Sequence, residues 1–272
     1  MGKTMPKIGF VGLGRMGLAK AKHLLRAGYD LFGFDISETA METATRIGVV
    51  TVPSASEVAR NSDTIIVIVP TDEDVKTACI HNDGVLAGAK TGATIVLCSS
   101  LRPETVKEIM KHADDGVNIL DAPSTRGPDA ADAGTLAILV GGELATLEHV
   151  RPVLECFSEV IHHVGPLGAG QVAKTVNNIL LWCNMRTTLE VLTLAKDLEL
   201  DPESMRRAMF DCSGDSWALR RLDKINPAWP VKDMNNAMAL ADKIGCTMPM
   251  TALMAKLAAT LTQEAVEELL RA

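Results

Sequence analysis

The chain has 272 residues, enough for two domains, and 47% of them are hydrophobic, which provides ample material for buried cores. Its formal net charge of −7 and its 3% aromatic content argue against nucleic acid as a partner, because phosphates attract basic proteins and unpaired bases stack on aromatic rings. The six cysteines are scattered and form no CxxC pair or Cys/His cluster, so the sequence predicts reduced thiols and no metal site.

The sequence also gives no sign of a membrane segment. Its longest apolar runs fall well short of the roughly 18 residues that suggest a membrane helix. The N-terminal stretch MGKTMPKIGF lacks the hydrophobic segment of a signal peptide. We therefore expect a cytoplasmic protein without a membrane partner.

The first part of the chain alternates short apolar runs with helical stretches. Seven runs have the composition of strands: KIGFV, DLFGF, TIIVIV, ATIVLC, VNILDA, LAILVGG and EVIHHV. Many of them are apolar throughout, which is typical of parallel strands covered by helices on both faces. The pattern predicts a Rossmann-type α/β domain with a doubly wound, mainly parallel sheet over residues 1–165.

A glycine motif follows the first of these runs. In KIGFVGLGRMG, the first glycine of the GxGxxG pattern permits a tight turn, the second lets the backbone approach a pyrophosphate, and the third allows close packing of helix on strand. The N-terminus of the next helix adds unpaired N–H groups and a partial positive charge. The motif therefore predicts a dinucleotide site that contains Gly12, Leu13, Gly14, Arg15, Met16 and Gly17.

An acidic residue, Asp35, ends the next strand, about twenty positions after the motif, where it can accept hydrogen bonds from ribose hydroxyls. A carboxylate at this place repels a 2′-phosphate, and the next residue, Ile36, offers no cation to bind one. The sequence thus predicts NAD as the cofactor, with NADP less favoured. In the intervening helix we interpret Lys20 and Lys22 as solvated positions.

The stretch DAPSTRGPDAADAGTL, from Asp121 to Leu136, is rich in Gly, Ala and Pro but carries one arginine, Arg126. Beyond GPLGAG the pattern changes, and a run without interior Gly or Pro predicts a long helix that opens an all-α domain over residues 166–272. In that helix Lys174 and Asn178 are four residues apart, so their side chains share one face.

With these motifs together, the chain resembles the β-hydroxyacid dehydrogenase family, which includes 3-hydroxyisobutyrate dehydrogenase and tartronate semialdehyde reductase. GFVGLGRMG resembles the family's cofactor motif, DAPSTRGPDAADAGTL its substrate motif, GAGQVAKTVNN its catalytic segment and VKDMNNA a later Lys-Asp element. The four motifs occur in the family's order and span nearly the whole chain. The helical part is compact for this family.

The resemblance implies that Lys174 is the catalytic lysine and that Asn178 is its partner. It also implies cofactor contacts outside the glycine motif, at Val69, Pro70, Ser100 and Lys232. Ser100 has an alternative interpretation as the N-cap of the helix that begins near Pro103. Lys232 has an alternative interpretation as a surface lysine.

In the family, a Ser-Gly-Gly segment binds the substrate carboxylate, and the matching residues here are Thr125, Arg126 and Gly127. Arg126 replaces a glycine by a permanent charge and a fork of donors suited to oxyanions. This suggests a substrate with more anionic charge than hydroxyisobutyrate, and sulfolactaldehyde reductases of the family carry an arginine at the matching position. Alternatively, Arg126 turns outward and pairs with Asp129 or Asp132.

The sequence therefore predicts an NAD-dependent oxidoreductase that interconverts a short anionic hydroxy acid and its semialdehyde, with Lys174 as general acid and base. One alternative is a sulfolactaldehyde reductase-like enzyme that uses Arg126 for the sulfonate. Another is a non-catalytic NAD-binding protein. An imine reductase shares the architecture but generally lacks the lysine and favours NADPH. The long apolar helix also predicts a homodimer or homotetramer.

Overall fold

The computed structural model describes residues 5–270. The predicted domains begin at residue 1 and end at residue 272, so residues 1–4 and 271–272, including the start of the N-terminal stretch discussed above, lie outside the described residues. The chain divides into two compact units, which separate between Lys174 and Thr175. Within residues 5–270, no helix combines the length and the apolar composition that crossing a membrane requires.

In the described chain the first unit is built on one nine-stranded sheet. Its strands are β1 (Ile8–Val11), β2 (Leu31–Phe34), β3 (Val50–Thr51), β4 (Thr64–Val67), β5 (Thr94–Leu97), β6 (Asn118–Asp121), β7 (Ser124–Thr125), β8 (Leu136–Gly141) and β9 (Ser158–Gly165). Six of them lie in the parallel order β3-β2-β1-β4-β5-β6. β8 is antiparallel to β6 and β7 but parallel to β9. This topology confirms the predicted Rossmann-type sheet.

Helices connect the strands and continue into the second unit. The first unit contains α1 (Arg15–Arg26), α2 (Glu38–Arg46), α3 (Ala55–Arg60), α4 (Asp72–Ile80), α5 (Val85–Gly88), α6 (Pro103–Lys111), α7 (Gly127–Ala133) and α8 (Leu144–Glu155). The long helix α9 (Ala169–Asp197) begins in the first unit and continues in the second. The second unit adds α10 (Pro202–Ala208), α11 (Trp217–Arg220), α12 (Pro230–Ile244), α13 (Pro249–Leu257) and α14 (Gln263–Leu270). Short 3₁₀ turns lie at Met209–Asp211, Leu222–Lys224 and Ala258–Thr260.

Strands β1, β4 and β5 are buried along their whole length, as their continuous apolar sequences predict, whereas β9 is partly exposed. Ile8 and Phe10 of β1 belong to one hydrophobic cluster, and Val11 belongs to another. β4 divides in the same way, because successive side chains of a strand point to opposite faces. Helices α1 and α8 cover the first face, and α3, α4 and α6 cover the second. The sheet is therefore the middle layer of three.

The second unit has a helical core of its own. Trp182, Met185, Leu189 and Leu192 are buried at intervals of three or four residues along α9, the spacing of one helix face. They pack with apolar side chains from the later helices. The structure confirms the predicted all-α arrangement of this part of the chain.

Candidate active site

The glycine loop between β1 and α1 has the shape that a pyrophosphate requires. A Cβ at Gly12 would lie 2.1 Å from the Ile68 carbonyl oxygen, and one at Gly17 would lie 2.2 Å from the Gly12 carbonyl oxygen, so both positions need glycine. A Cβ at Gly14 would meet no described atom within 4 Å. Gly14 is also the N-cap residue of α1, and no described side chain caps that helix. The open space and the uncapped N–H groups fit a bound phosphate.

The Asp35 carboxylate lies directly beside this loop. One of its oxygens accepts a hydrogen bond from the Leu13 N–H at 2.7 Å, and the other accepts one from the Ser37 N–H at 2.8 Å. The backbone therefore holds the carboxylate at the end of β2, where the sequence predicts the ribose. The next side chain, Ile36, is 93% exposed and presents an apolar surface there.

Arg15 directs its side chain away from the loop toward α7. Its guanidinium forms two hydrogen bonds with the Asp132 carboxylate, one of them 2.6 Å long. Two turns further along α1, the His23 Nε2 atom lies 3.0 Å from the carbonyl oxygens of Ala131 and Asp132. Met16 is partly buried against the core of the sheet. The helix of the cofactor motif is thus joined to the helix that follows the predicted substrate loop.

Two strand ends at the carboxyl edge of the sheet are joined by Ser99, which was not predicted as a site residue. The Ser99 hydroxyl accepts a hydrogen bond from the Val69 N–H and donates one to the Val69 carbonyl oxygen, both at 2.8 Å. Pro70 follows on this loop, and Ser100 is half-buried. Helix α6 has Arg102 as its N-cap residue, so the alternative interpretation of Ser100 as that cap is wrong.

Asp121, the last residue of β6, anchors the N-terminus of α9. Its buried carboxylate accepts hydrogen bonds from the N–H groups of Gly168 at 2.7 Å and Gln171 at 2.8 Å. The Gln171 side chain accepts a bond from the Leu101 N–H at 2.8 Å and donates one to the Ser99 carbonyl oxygen at 2.9 Å. Burial raises the pKa of Asp121, and the backbone N–H groups oppose this rise. These contacts fix the first turn of α9 against two strand ends.

Lys174 lies one turn further along α9, at the predicted substrate loop. Its Nζ donates a hydrogen bond to the Ser124 carbonyl oxygen at 2.9 Å. Ser124 and Thr125 form β7, which pairs with β8. The Thr125 hydroxyl donates a long hydrogen bond of 3.4 Å to the Ala137 carbonyl oxygen. The structure thus brings together the lysine and the loop to which the family resemblance attributes catalysis and substrate binding.

Two further predicted site residues belong to the second unit. Asn178 is buried on α9, four residues after Lys174, and its Oδ1 atom accepts a hydrogen bond from the Asn177 amide at 3.0 Å. Lys232 lies near the start of α12, with its Nζ atom 5.8 Å from the centre of the Trp229 ring. Their roles toward substrate and cofactor stay predictions.

Arg126 has an unusual backbone conformation for a residue with a side chain. It and Gly127 both have a φ of +79°, in the left-handed region. The Arg126 Nη1 atom donates to the Thr135 carbonyl oxygen at 2.9 Å and to the Glu159 carboxylate. Asp132, one of the two partners considered from the sequence, pairs with Arg15 instead. The guanidinium is therefore held against β9.

The position of Lys20 differs from the one predicted from the sequence, which was a solvated helix position. It is fully buried on α1, with its Nζ atom 5.5 Å from the centre of the Phe157 ring. Among the described residues that Nζ atom has no hydrogen-bond partner. Lys20 is therefore not a solvated position. It lies between Gly17 and Leu24 on the buried face of the helix, and this spacing could have revealed its burial from the sequence.

Four residues with clear structural roles were not singled out from the sequence: Ser99, Asp121, Gln171 and Glu159. Only Asp121 carries a local signal, because it is a carboxylate that directly follows the buried apolar pair Ile119 and Leu120 at the end of its strand. Gln171 contacts backbone groups 70 and 72 positions away, and Glu159 meets an arginine 33 positions away. Such pairings depend on the fold and leave no pattern within one stretch of sequence.

Two protein-family models match the chain. The NAD-binding domain of 6-phosphogluconate dehydrogenase matches residues 7–165, and the model described as the NAD-binding part of NADP-dependent 3-hydroxyisobutyrate dehydrogenase matches residues 168–269. These matches confirm that the chain carries NAD-binding domains, as the glycine loop and Asp35 predict.

The chain is also similar to named dehydrogenases over most of its length. It is 38% identical to the NAD-dependent L-serine dehydrogenase of Pseudomonas aeruginosa over 253 residues, which are 93% of this chain and 83% of that protein. It is 35% identical to the 2-(hydroxymethyl)glutarate dehydrogenase of Eubacterium barkeri over 259 residues, 91% of this chain and 86% of that one. The structure of the 3-hydroxyisobutyrate dehydrogenase of Mycobacterium tuberculosis with L-serine matches with a TM-score of 0.86 and 32% identity, covering 99% of this chain and 100% of the other.

Proposed function

The chain belongs to the β-hydroxyacid dehydrogenase family of 3-hydroxyisobutyrate dehydrogenase and its relatives, and we propose that it interconverts a short hydroxymethyl carboxylic acid and its semialdehyde. It is a dehydrogenase or reductase that acts on hydroxyl groups, as its relatives are. The observation that carries the proposal is the 2.9 Å hydrogen bond between the Lys174 ammonium and the Ser124 carbonyl oxygen. It holds a proton donor on the loop that the family uses for substrate.

Lys174 is the general acid and base in this proposal. When bound, NAD would supply the hydride chemistry, as acceptor in oxidation of the alcohol and, in its reduced form, as donor in reduction of the aldehyde. In reduction, the Lys174 Nζ atom stabilises the negative charge on the substrate oxygen and donates a proton to it. In oxidation, a neutral Nζ atom removes the hydroxyl proton. Such assistance accelerates reactions by about 10²- to 10⁴-fold. Asn178 is proposed as its partner.

The substrates in the relatives' names indicate which molecules to test. 3-Hydroxyisobutyrate, L-serine and 2-(hydroxymethyl)glutarate all have the form HOCH₂–CH(R)–COO⁻, in which R is a methyl, an ammonium or a carboxyethyl group. They share the primary alcohol that is oxidised and the carboxylate beside it. We propose that the Thr125 hydroxyl and the backbone N–H groups of Arg126 and Gly127 bind that common carboxylate, and that the Arg126 side chain faces the group R.

We propose NAD as the preferred cofactor, bound by the glycine loop with Val69, Pro70, Ser100 and Lys232 contributing further contacts. The Asp35 carboxylate, held by two N–H groups at the end of β2, supports this preference. A 2′-phosphate at that place would meet a negative charge that cannot easily turn away. Arg15, the cation within the loop, is engaged by Asp132.

A substrate screen that follows NADH absorbance tests the proposal. We expect NAD-dependent oxidation of at least one of the three hydroxymethyl acids. The reverse reaction is tested with tartronate semialdehyde, succinic semialdehyde and sulfolactaldehyde, which also tests the sulfonate alternative. Titrations with NADH and NADPH should give tighter binding of NADH. Binding of NADH without turnover of any substrate would contradict the proposal and favour a non-catalytic protein.

A further inference from the structure

Arg126 is the residue of the substrate loop whose geometry is least expected. A left-handed backbone is unfavourable for a residue with a Cβ, and Arg126 adopts it directly before Gly127, which has the same φ of +79°. It is two residues from Ser124, whose carbonyl oxygen holds the Lys174 ammonium. The arginine therefore adjoins the group proposed to act on the substrate.

The guanidinium is only partly used by the protein. Both of its hydrogen bonds to the described chain come from the Nη1 atom, one to the Thr135 carbonyl oxygen and one to Glu159. The Nε and Nη2 atoms have no hydrogen-bond partner among the described residues. Because a guanidinium offers five donors in a fork, this leaves donors available to an oxyanion.

Glu159 supplies the charge that balances this arginine. It lies on β9, and its carboxylate pairs with the Arg126 Nη1 atom. The Arg126 side chain is 35% exposed and that of Glu159 is 60% exposed, so solvent and a ligand can both reach the pair. A substrate group R beside Arg126 therefore meets a cation whose charge is largely compensated.

We propose that Glu159 is a specificity-determining residue, which rests on the proposed function. By neutralising Arg126, it lets the site accept a neutral or cationic R group, as in 3-hydroxyisobutyrate or L-serine. An anionic R group, such as a carboxylate or a sulfonate, competes with Glu159 for the same guanidinium. Without the Glu159 charge, Arg126 favours an anionic R group and repels an ammonium.

The test compares Glu159→Gln with the parent protein. We expect the ratio of kcat/KM for 2-(hydroxymethyl)glutarate to kcat/KM for L-serine to rise about twofold to fivefold, because a partly exposed ion pair contributes up to about 1 kcal/mol. Raising the salt concentration should reduce this shift, since exposed charges are screened.

Two further variants make the test specific to this pair. In an Arg126→Gly background, Glu159→Gln should leave the ratio unchanged, because the guanidinium that the Glu159 charge compensates is absent. Glu148→Gln is the matched control: it frees Arg151 on α8, in a pair whose side chains are 30% and 52% exposed, and should not change the ratio. An unchanged ratio in Glu159→Gln, or an equal rise without Arg126, would overturn the inference.

Calorimetric binding separates this inference from the proposed function. Glutarate and L-serine are titrated into the NADH complexes of the parent and of Glu159→Gln, without turnover. Tighter glutarate binding and weaker L-serine binding in the variant would support the role of Glu159 even if no substrate turned over, an outcome in which the proposed function alone fails. Unchanged binding of both ligands would overturn the inference.

Discussion

Lys20 places an amine in the core of the sheet layer. Its side chain is fully buried and touches the cluster that contains Phe157 and Cys98. Burial raises the pKa of the Cys98 thiol, and the nearby lysine opposes that rise. An ammonium in such a place loses its hydration, and a cation–π contact of up to about 2 kcal/mol compensates only part of that loss.

We predict that Lys20→Met stabilises the protein. Methionine matches the length of the lysine stem without a charge to desolvate, so the free energy of unfolding should rise by about 1–4 kcal/mol. Urea denaturation at neutral pH measures the change. Lys22→Met is the control, because Lys22 is exposed on the same helix and its replacement should shift the midpoint little. A lower midpoint for Lys20→Met would show that the buried amine has a stabilising partner.

At the scale of the elements, the start of α9 positions Lys174. Asp121 accepts N–H bonds from Gly168 and Gln171 and so takes the place of a helix cap, with its negative charge at the positive end of the helix dipole. Gly170 makes this contact possible, because a Cβ there would lie 2.7 Å from the Asp121 carboxylate.

We predict that Asp121→Asn lowers the free energy of unfolding by about 1–3 kcal/mol at pH 7, because one amide oxygen cannot replace two carboxylate oxygens as acceptors. It should also reduce kcat more than the affinity for NADH. Asp115→Asn, at an exposed position near the start of β6, is the control and should change neither property. If Asp121→Asn had the same free energy of unfolding and the same kcat as the parent protein, Asp121 would not be the residue that anchors α9.

The stability difference between the parent protein and Asp121→Asn should depend on pH. Burial raises the folded-state pKa of Asp121 above its ordinary value of 3.8, so the folded protein binds this proton more tightly than the unfolded chain. This contribution to stability is fully present below that ordinary value and is lost as the pH rises through the folded pKa. The stability of the parent relative to Asp121→Asn should therefore increase as the pH falls from 7 toward 4, measured by urea denaturation. A decrease would contradict the direction of the shift.

The strands show which elements a sequence can predict. The seven predicted runs all form strands. β1, β4 and β5 are buried throughout, because burial on both faces requires continuous apolar composition, whereas the more polar β9 is partly exposed. The two strands that were not predicted, β3 and β7, have two residues each, too few for any periodicity to appear. They form because neighbouring strands offer free edges, which is information that a local pattern does not contain.

The site shows the same division. The glycine loop and Asp35 could be predicted because backbone geometry restricts which residues can stand at fixed spacing in a motif. The role of Lys174 was predicted from the family resemblance. The side-chain direction of Arg126 could not be predicted, since its partner Glu159 lies on a strand that comes later in the chain. Substrate specificity in this account depends on that long-range pair, and sequence spacing alone does not reveal it.

At the scale of the whole molecule, α9 carries apolar side chains on its exposed surface in the second unit. They are Val176, Leu180, Val191 and Leu194. An apolar surface of this kind is typical of a contact between protein chains. It supports the prediction, made from the sequence, that the protein forms a homodimer or homotetramer.

Analytical ultracentrifugation tests this prediction. We expect the parent protein to sediment as a dimer or tetramer at micromolar concentration. Leu194→Glu should raise the dissociation constant of this assembly at least tenfold, so that smaller species appear. Leu144→Glu introduces the same charge at an exposed leucine of α8 and should leave the assembly unchanged. A stable monomer of the parent protein would contradict the prediction.

The central claim is that Lys174 moves the proton while a bound nicotinamide exchanges the hydride. The most direct measurement is the turnover number of Lys174→Ala at saturating NAD and hydroxymethyl acid, beside Lys196→Ala, which removes an exposed lysine from the same helix. The account predicts a loss of about 10²- to 10⁴-fold for Lys174→Ala with NADH affinity retained, and little change for Lys196→Ala. Turnover of Lys174→Ala within a few-fold of the parent would contradict it.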